Sequence, residues 1–329
     1  VSVASRVLQR LSRDWFLGGM IGAVVLAALF PGVGRTGGPL HADKLANAGI
    51  FLVFFFHGVG LSAAHLKAGV ARWRLHLLVQ TFTFIVFPLL WWVLDKAVGR
   101  WLPADLTLGF LYLCAVPSTI SSSVAMTAVA RGNVAGAIFN ASLSSLLGVV
   151  LTPLLVGLLA KTTGQPLSFA DAVLKLAALL VLPLVLGQLA RPLVGAWFAR
   201  YKKYTNTFDR LVILMLVYAS FCDSVEAGLF TQYGGGLLAT TLGGAALLLA
   251  VVLWLTTRAA RLAHFDKEDE IAAVFCGSKK TLASGVPMAR LLFGAYPGLG
   301  LIVLPLMFYH QLQLIVCSVL AERYAARTR

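Results

Sequence analysis

Runs of roughly 20 apolar residues, the length a helix needs to cross a bilayer, follow one another along the chain with short polar gaps between them. The runs are continuously apolar, without the alternation of a lipid-facing β-strand. Hydropathy and breaker residues together predict ten membrane-spanning helices, over approximately 15–30, 46–66, 75–97, 106–130, 134–160, 170–190, 207–228, 235–258, 268–290 and 296–322. The first run ends on Pro31-Gly32 and continues into a PGVG turn, not a small-residue cleavage site. It therefore reads as a span and not as a leader peptide. The fifth run starts after Arg131-Gly132-Asn133.

Composition fixes the solvent. Of 329 residues, 59% are hydrophobic and 12% charged, against about 25% charged in a soluble domain. Ten spans leave no room for a large extramembrane catalytic domain, so the chemistry is expected among packed helices. The net charge of +14 would suggest a nucleic-acid partner in a soluble protein. Here the basic residues are dispersed and follow no basic-aromatic repeat, so no nucleic acid is expected and the charge reads as topology. With the N-terminus inside, seventeen basic residues fall on the cytoplasmic side and six outside. Both termini are therefore expected in the cytoplasm of a multi-pass protein, with a bacterial inner membrane as the expected setting. Cys114, Cys222, Cys276 and Cys317 lie in or beside apolar runs without CxxC spacing, which indicates neither a zinc site nor a disulfide framework.

The chain divides near residue 165, at Lys161-Thr162-Thr163-Gly164-Gln165-Pro166, into halves of five spans each. An odd number per half makes the second half enter from the opposite side, an inverted repeat over 1–165 and 166–329. The fourth span of each half carries the clearest sign. LYLCAVPSTISSSVAMTAVARGN (111–133) and AAVFCGSKKTLASGVPMAR (272–290) both turn from apolar to small and polar near mid-membrane, then back. Breakers such as Pro117 and Gly277 expose backbone groups that lipid cannot satisfy, so such breaks persist only inside protein or beside a watery cavity. Paired breaks in inverted halves point to a transporter binding site. For one span alone, Ser121, Ser122 and Ser123 could simply bond back to carbonyls of a kinked helix.

At these residues the sequence resembles the bile acid:sodium symporter family, and its divergent SBF-like branch most. The resemblance is carried by VQTFTFIVFPLL (79–90), the PSTISSSVAMT break, ARGN (130–133), LTPLL (151–155) and CGSKKTLASG (276–285), in order along nearly the whole chain. It implies a panel of spans 1, 2, 6 and 7 and a core of spans 3–5 and 8–10, with the broken fourth and ninth helices crossing in the core. It also implies an organic anion bound between panel and core, and sodium ions beside the crossover. Carried over residue by residue, Gln80 and Ser123 match family sodium ligands. Val124, Ala137, Ala141, Cys276 and Lys280 stand where further ligands are expected. The oxygen cage that a hard cation prefers is thus incomplete, and no metal site is predicted by this route. Coupling to sodium is not expected by the family's usual means; a proton is the other candidate, and no cofactor is implied.

Intramembrane charge is costly and usually functional, which singles out Lys279 and Lys280. Neighbours on a helix point about 100° apart, so one of the two should face the crossover. Lys280 is the expected one, its ammonium filling the place of a sodium ion and bonding exposed carbonyls and Gln80. Lys279 is then free to attract an anionic substrate. Ser278 and Thr281 flank the pair, and Asn140 and Ser142 share a face of the fifth span. Asp223 and Glu226 share a helix face and form a candidate gate; two carboxylates at the membrane surface are the plainer alternative. His57 and His310 read as buried histidines bonded to a neighbouring helix, with the better functional claim on His310. Gly18 and Gly22 form a lone GxxxG, a weak packing signal.

The leading expectation is a secondary transporter of small organic anions, monomeric or homodimeric in the bilayer, working by alternating access. An intramembrane hydrolase built on the serines and a histidine lacks any GxSxG, HExxH or paired-aspartate motif, so no enzyme is expected. A regulatory or scaffold protein of the same fold that has lost transport is the alternative.

Overall fold

The computed structural model describes residues 15–60, 72–160, 169–294 and 296–327. The polar divide at 161–166 and the basic residues Arg6, Arg10, Arg13, Lys67, Lys161 and Arg329 lie outside the described residues. The described stretches expected to span the membrane are helical over most of their length, and no strand occurs among the described residues. The helices are α1 (Trp15–Leu29), α2 (Pro31–Gly34), α3 (Ala42–Gly60), α4 (Trp73–Thr81), α5 (Phe87–Val98), α6 (Ala104–Ala115) and α7 (Ser121–Val129). They continue with α8 (Val134–Ala160), α9 (Phe169–Arg200), α10 (Lys202–Glu226), α11 (Leu229–Leu262), α12 (Lys267–Gly277), α13 (Leu282–Phe293) and α14 (Leu299–Ala325). Five helical stretches, Trp73–Trp101, Val134–Leu159, Val181–Arg200, Gly235–Leu262 and Leu299–Ala325, are long and apolar enough to cross a membrane.

The chain gathers into two compact units. The first comprises 1–61, 170–238 and 283–303, the second 62–169, 239–282 and 304–329. In the first, α10 packs on α1, α2 and α3, and glycines set the spacing. A side chain at Gly34 would run into the Tyr218 ring, and one at Gly58 or Gly187 would run into the backbone of α9 or α3. The expected GxxxG contact is not where the helices close: a methyl group on Gly18 or Gly22 would meet nothing within 4 Å, whereas one on Gly19 would press on Leu214. A spacing pattern marks small residues but not which of them faces a neighbour.

In the second unit, α6 packs on α5 and α8, and α12 packs on α4, α7 and α8. Two helices expected to be interrupted are interrupted. Residues 116–120 separate α6 from α7, and 278–281 separate α12 from α13. A third irregularity was not expected: one turn of π-helix, Phe82–Val86, joins α4 to α5. The end of this unit opposite its breaks is tied by caps. Asp266 accepts from the Asp269 N–H at 2.7 Å at the start of α12, whose first turn holds Glu268, Asp269 and Glu270, where carboxylates face the positive end of the helix dipole. Asn133 caps α8 by accepting from Gly136 N–H at 2.8 Å, and its amide donates to Asp269 at 2.6 Å.

Candidate functional site

The second unit gathers most of the polar residues singled out in the sequence around its two breaks. Where a helix unwinds in an apolar interior, each released N–H and C=O needs a partner, and here each break supplies partners for the other. Thr281 N–H donates to the Pro117 carbonyl at 3.0 Å. The Ser118 hydroxyl donates to Cys276 O at 2.6 Å, and the Ser123 hydroxyl to Phe275 O at 3.1 Å. Ser123 therefore bonds across to the other broken helix, not back along its own. Side chains of intact helices complete the set. Ser144 accepts from Ser118 N–H at 2.9 Å, Thr152 donates to Ala115 O at 2.9 Å, and Tyr309 donates to Ser278 O at 2.7 Å. Gln313 holds both backbone groups of Lys280, accepting from its N–H at 2.8 Å and donating to its carbonyl at 2.8 Å.

Lys280 is fully buried, and its ammonium donates to three backbone carbonyls: Thr83 at 2.9 Å, Cys114 at 2.8 Å and Val116 at 2.8 Å. The Phe87 ring covers it, with Nζ 4.0 Å from the centroid, a cation–π contact strengthened by exclusion of water. The sequence dictates why those carbonyls are unclaimed. In the π turn Phe87 N–H bonds to Phe82 O, which passes the Thr83 carbonyl to residue 88, and Pro88 has no N–H to give. Ser118 N–H, one turn beyond Cys114, is turned toward Ser144. The Val116 carbonyl lies at the start of the unwound segment.

Lys279, equally buried, donates to Ser122 O at 2.9 Å, and its amine stands 5.3 Å from the Phe275 centroid. The Ser122 hydroxyl pairs with Thr119, and Ser121 is exposed. Gln80 goes to Asn140, not to Lys280 as expected. Its amide donates to Asn140 O at 3.1 Å and reaches Asn140 Oδ1 at 3.4 Å, because three carbonyls already take all three protons of the ammonium. Gln80 Oε1 is buried without a hydrogen-bond partner among the described residues. His310 lies beside the clamp, its Nδ1 2.9 Å from Gln313 Nε2 and 3.4 Å from Lys280 O.

The positions where sodium ligands were expected have another character. Val124, Ala137 and Cys276 pack in one apolar cluster with Leu75, Val79 and Ala273, and Ala141 is fully buried. These positions offer no side-chain oxygen to a hard cation, so they do not fit the usual site.

The remaining candidates lie in the first unit. Asp223 accepts from Thr36 N–H at 2.7 Å, from the Thr36 hydroxyl at 2.9 Å and from Arg290 at 3.2 Å, and Arg290 also reaches Thr36 at 2.9 Å. The ion pair is nearly buried, with side-chain exposures of 8% and 10%. Glu226, three residues on, is exposed. His57 stands 3.9 Å from Asp209 of α10. The sequence reading passed over Asp209, although an acid near the start of the seventh span was the available signal. It also passed over Thr83, Phe87, Ser118, Ser144 and Gln313. Pro88 inside the third span was the one clue to the Thr83 carbonyl.

Relatives match the chain over nearly its whole length. The chain is 46% identical to an uncharacterized protein of Pseudomonas aeruginosa over 97% of its length and 95% of the relative's. It is 44% identical to "Putative symporter YfeH" of Escherichia coli over 94% of its length and 92% of the relative's. With sodium/bile acid cotransporter 7 of Danio rerio it shares 32% identity over 95% of its length and 94% of the relative's. Residues 14–326 match the SBF-like CPA transporter family as a whole, so an all-helical membrane chain with two interlocked broken helices is, by sequence, a member of that family.

Proposed function

We propose that the chain is a secondary transporter of small organic anions, working by alternating access, in which the Lys280 ammonium takes the place of a coupling sodium ion. The observation that carries this is the three-carbonyl cage closed on Lys280 Nζ. Three oxygens at hydrogen-bonding distance and an aromatic face are what a desolvated monovalent cation would seek, and here the cation is covalently tethered. The apolar cluster at Val124, Ala137 and Cys276 supports the same reading. The architecture proposed with it is the ten-helix inverted repeat, with spans 1, 2, 6 and 7 as panel and 3–5 and 8–10 as core and both termini cytoplasmic. The grouping of 62–169 with 239–282 and 304–329 supports most of that core, while 283–303, the end of the ninth span and the start of the tenth, groups with the first unit. Lys279, with one carbonyl partner, is the residue proposed to meet the substrate's negative charge when the site opens, and the Asp223–Arg290 pair is the proposed gate.

The test is uptake into proteoliposomes of purified protein, over a panel of carboxylates and sulfonates that includes a bile acid, with and without an inward sodium gradient. Uptake that is saturable and indifferent to sodium supports the reading, and sodium-driven accumulation overturns it. One observation favours a regulatory or scaffold protein of the same fold instead: Lys280 is fully satisfied by its own chain. That reading expects no uptake of any panel member together with retained cellular function of a folded Lys279→Gln variant.

A further inference from the structure

A groove of about 610 Å³ runs between the ends of α11 and α14 in the second unit. Its walls are two helical stripes, each apolar at one end and arginine at the other. On α11, Trp254, Arg258 and Arg261 are spaced i, i+4, i+7, and on α14, Val316, Leu320 and Arg323 are spaced i, i+4, i+7. Residues at these intervals share a helix face. Both walls therefore pass from apolar to arginine in the same direction, over roughly 10 Å at 1.5 Å per residue. The floor is apolar: Leu253 and Leu320 pack over Phe275, Cys317 and Tyr324.

The basic end is strongly one-signed. Arg258 and Arg323 are exposed. Arg261 bonds Glu270 through Nε at 3.3 Å, and Lys267 bonds the same carboxylate at 2.8 Å, so that acid is already neutralised. Arg258 leans over the Trp254 ring, 5.8 Å from its centroid, and that ring is 59% exposed. An exposed tryptophan one turn from a cluster of arginines is the arrangement found at headgroup depth, where the ring sits in the interface and the arginines meet phosphate.

We infer that this groove is a binding site for an anionic phospholipid, the phosphate held by Arg258, Arg261 and Arg323 and one acyl chain laid along Trp254, Val316 and Leu320. Charge complementarity selects an anionic headgroup over a zwitterionic one, and the apolar half selects a lipid over a soluble anion. A guanidinium presents a fork of donors that matches phosphate oxygens in pairs, and three of them around one groove are more than a topology signal needs. The groove's lining shares no residue with the Lys280 cage, and its occupation does not depend on transport.

The full chain, purified in a neutral detergent, is titrated with phosphatidylglycerol or phosphatidylcholine, and bound lipid is counted by native mass spectrometry. Phosphatidylglycerol is expected to be retained and to raise the unfolding midpoint, and phosphatidylcholine is not. The double variant Arg258→Gln/Arg323→Gln, which spares the Arg261–Glu270 pair, should weaken retention roughly fivefold per arginine, the equivalent of about 1 kcal/mol each. A Lys202→Gln/Lys203→Gln variant, altered at exposed charges elsewhere, should keep wild-type affinity. Equal retention of both lipids, an unchanged double variant or an equally weakened lysine control would overturn the proposal. So would displacement of the lipid by millimolar inorganic phosphate or a substrate anion, which would make the groove a soluble-anion site.

Discussion

Removing the amine of Lys280 leaves the carbonyls of Thr83, Cys114 and Val116 converging on a dry hole without a proton donor. A buried polar group left unmatched costs about 1–3 kcal/mol, so three together approach the lower end of the roughly 5–15 kcal/mol net stability of a folded domain. Lys280→Ala should therefore lower the unfolding midpoint in detergent by more than about 10 °C. If the cage is a cation site, ammonium or methylammonium added to Lys280→Ala should restore part of that loss. Lys280→Met, whose chain refills the hole with apolar atoms, should not respond. Equal behaviour of the two variants would mean that the lysine only fills space. That a lysine here matters was legible in the sequence, because charge inside a span is rare for an energetic reason. Its partners were not, because Thr83, Cys114 and Val116 lie 197, 166 and 164 positions away, and what they offer is main chain, which has no residue signature. Asp223 was legible in the same partial way. Its carboxylate could be flagged, but its ties to Thr36 and Arg290 join three distant segments.

At the scale of elements, lipid does most of the prediction. A backbone that cannot bond to water must bond to itself, so apolar runs of spanning length became helices, and Pro117 and Gly277 marked where two of them stop. The π turn at Phe82–Val86 escaped, because nothing in a run of Phe, Thr, Ile and Val separates a five-residue bonding pattern from a four-residue one; the tertiary contact with Lys280 stabilises it. The glycine contacts escaped for a related reason. Gly58 on α3 and Gly187 on α9 meet backbone to backbone, yet neither sits in a GxxxG pattern, and the GxxxG at Gly18 and Gly22 faces open space. The two cases give opposite predictions for one substitution. Gly187→Ala places a methyl against the Phe55 carbonyl and should destabilise by about 1–3 kcal/mol, as overpacking does. Gly18→Ala touches nothing within 4 Å and should stabilise by up to about 1 kcal/mol through helix propensity. Thermal unfolding of both variants in the same detergent checks the pair, and a Gly187→Ala midpoint at or above wild type would contradict the close approach.

For the whole molecule, a tethered ammonium has a consequence that a mobile sodium ion does not. A symported cation crosses with the substrate and cancels its charge; Lys280 stays with the protein and contributes the same charge before and after each turnover. Moving an anion through such a protein therefore moves net negative charge, and the membrane potential acts on it directly. One elementary charge across 100 mV is worth about 2.3 kcal/mol, a roughly fiftyfold difference in concentration at equilibrium. In proteoliposomes clamped by a potassium gradient and valinomycin, an inside-positive potential of 100 mV should concentrate a monovalent substrate anion by about that factor with sodium absent. Reversing the potential should expel it, and a sodium gradient at zero potential should do nothing. Adding a protonophore under the clamp separates the remaining coupling ion: accumulation that survives it leaves the potential as the driving force, whereas accumulation that collapses means that a proton crosses with the anion, Lys279 being the buried amine with bonds to spare. Sodium-driven accumulation at zero potential would show instead that the Lys280 cage opens during the cycle and yields its place to the ion.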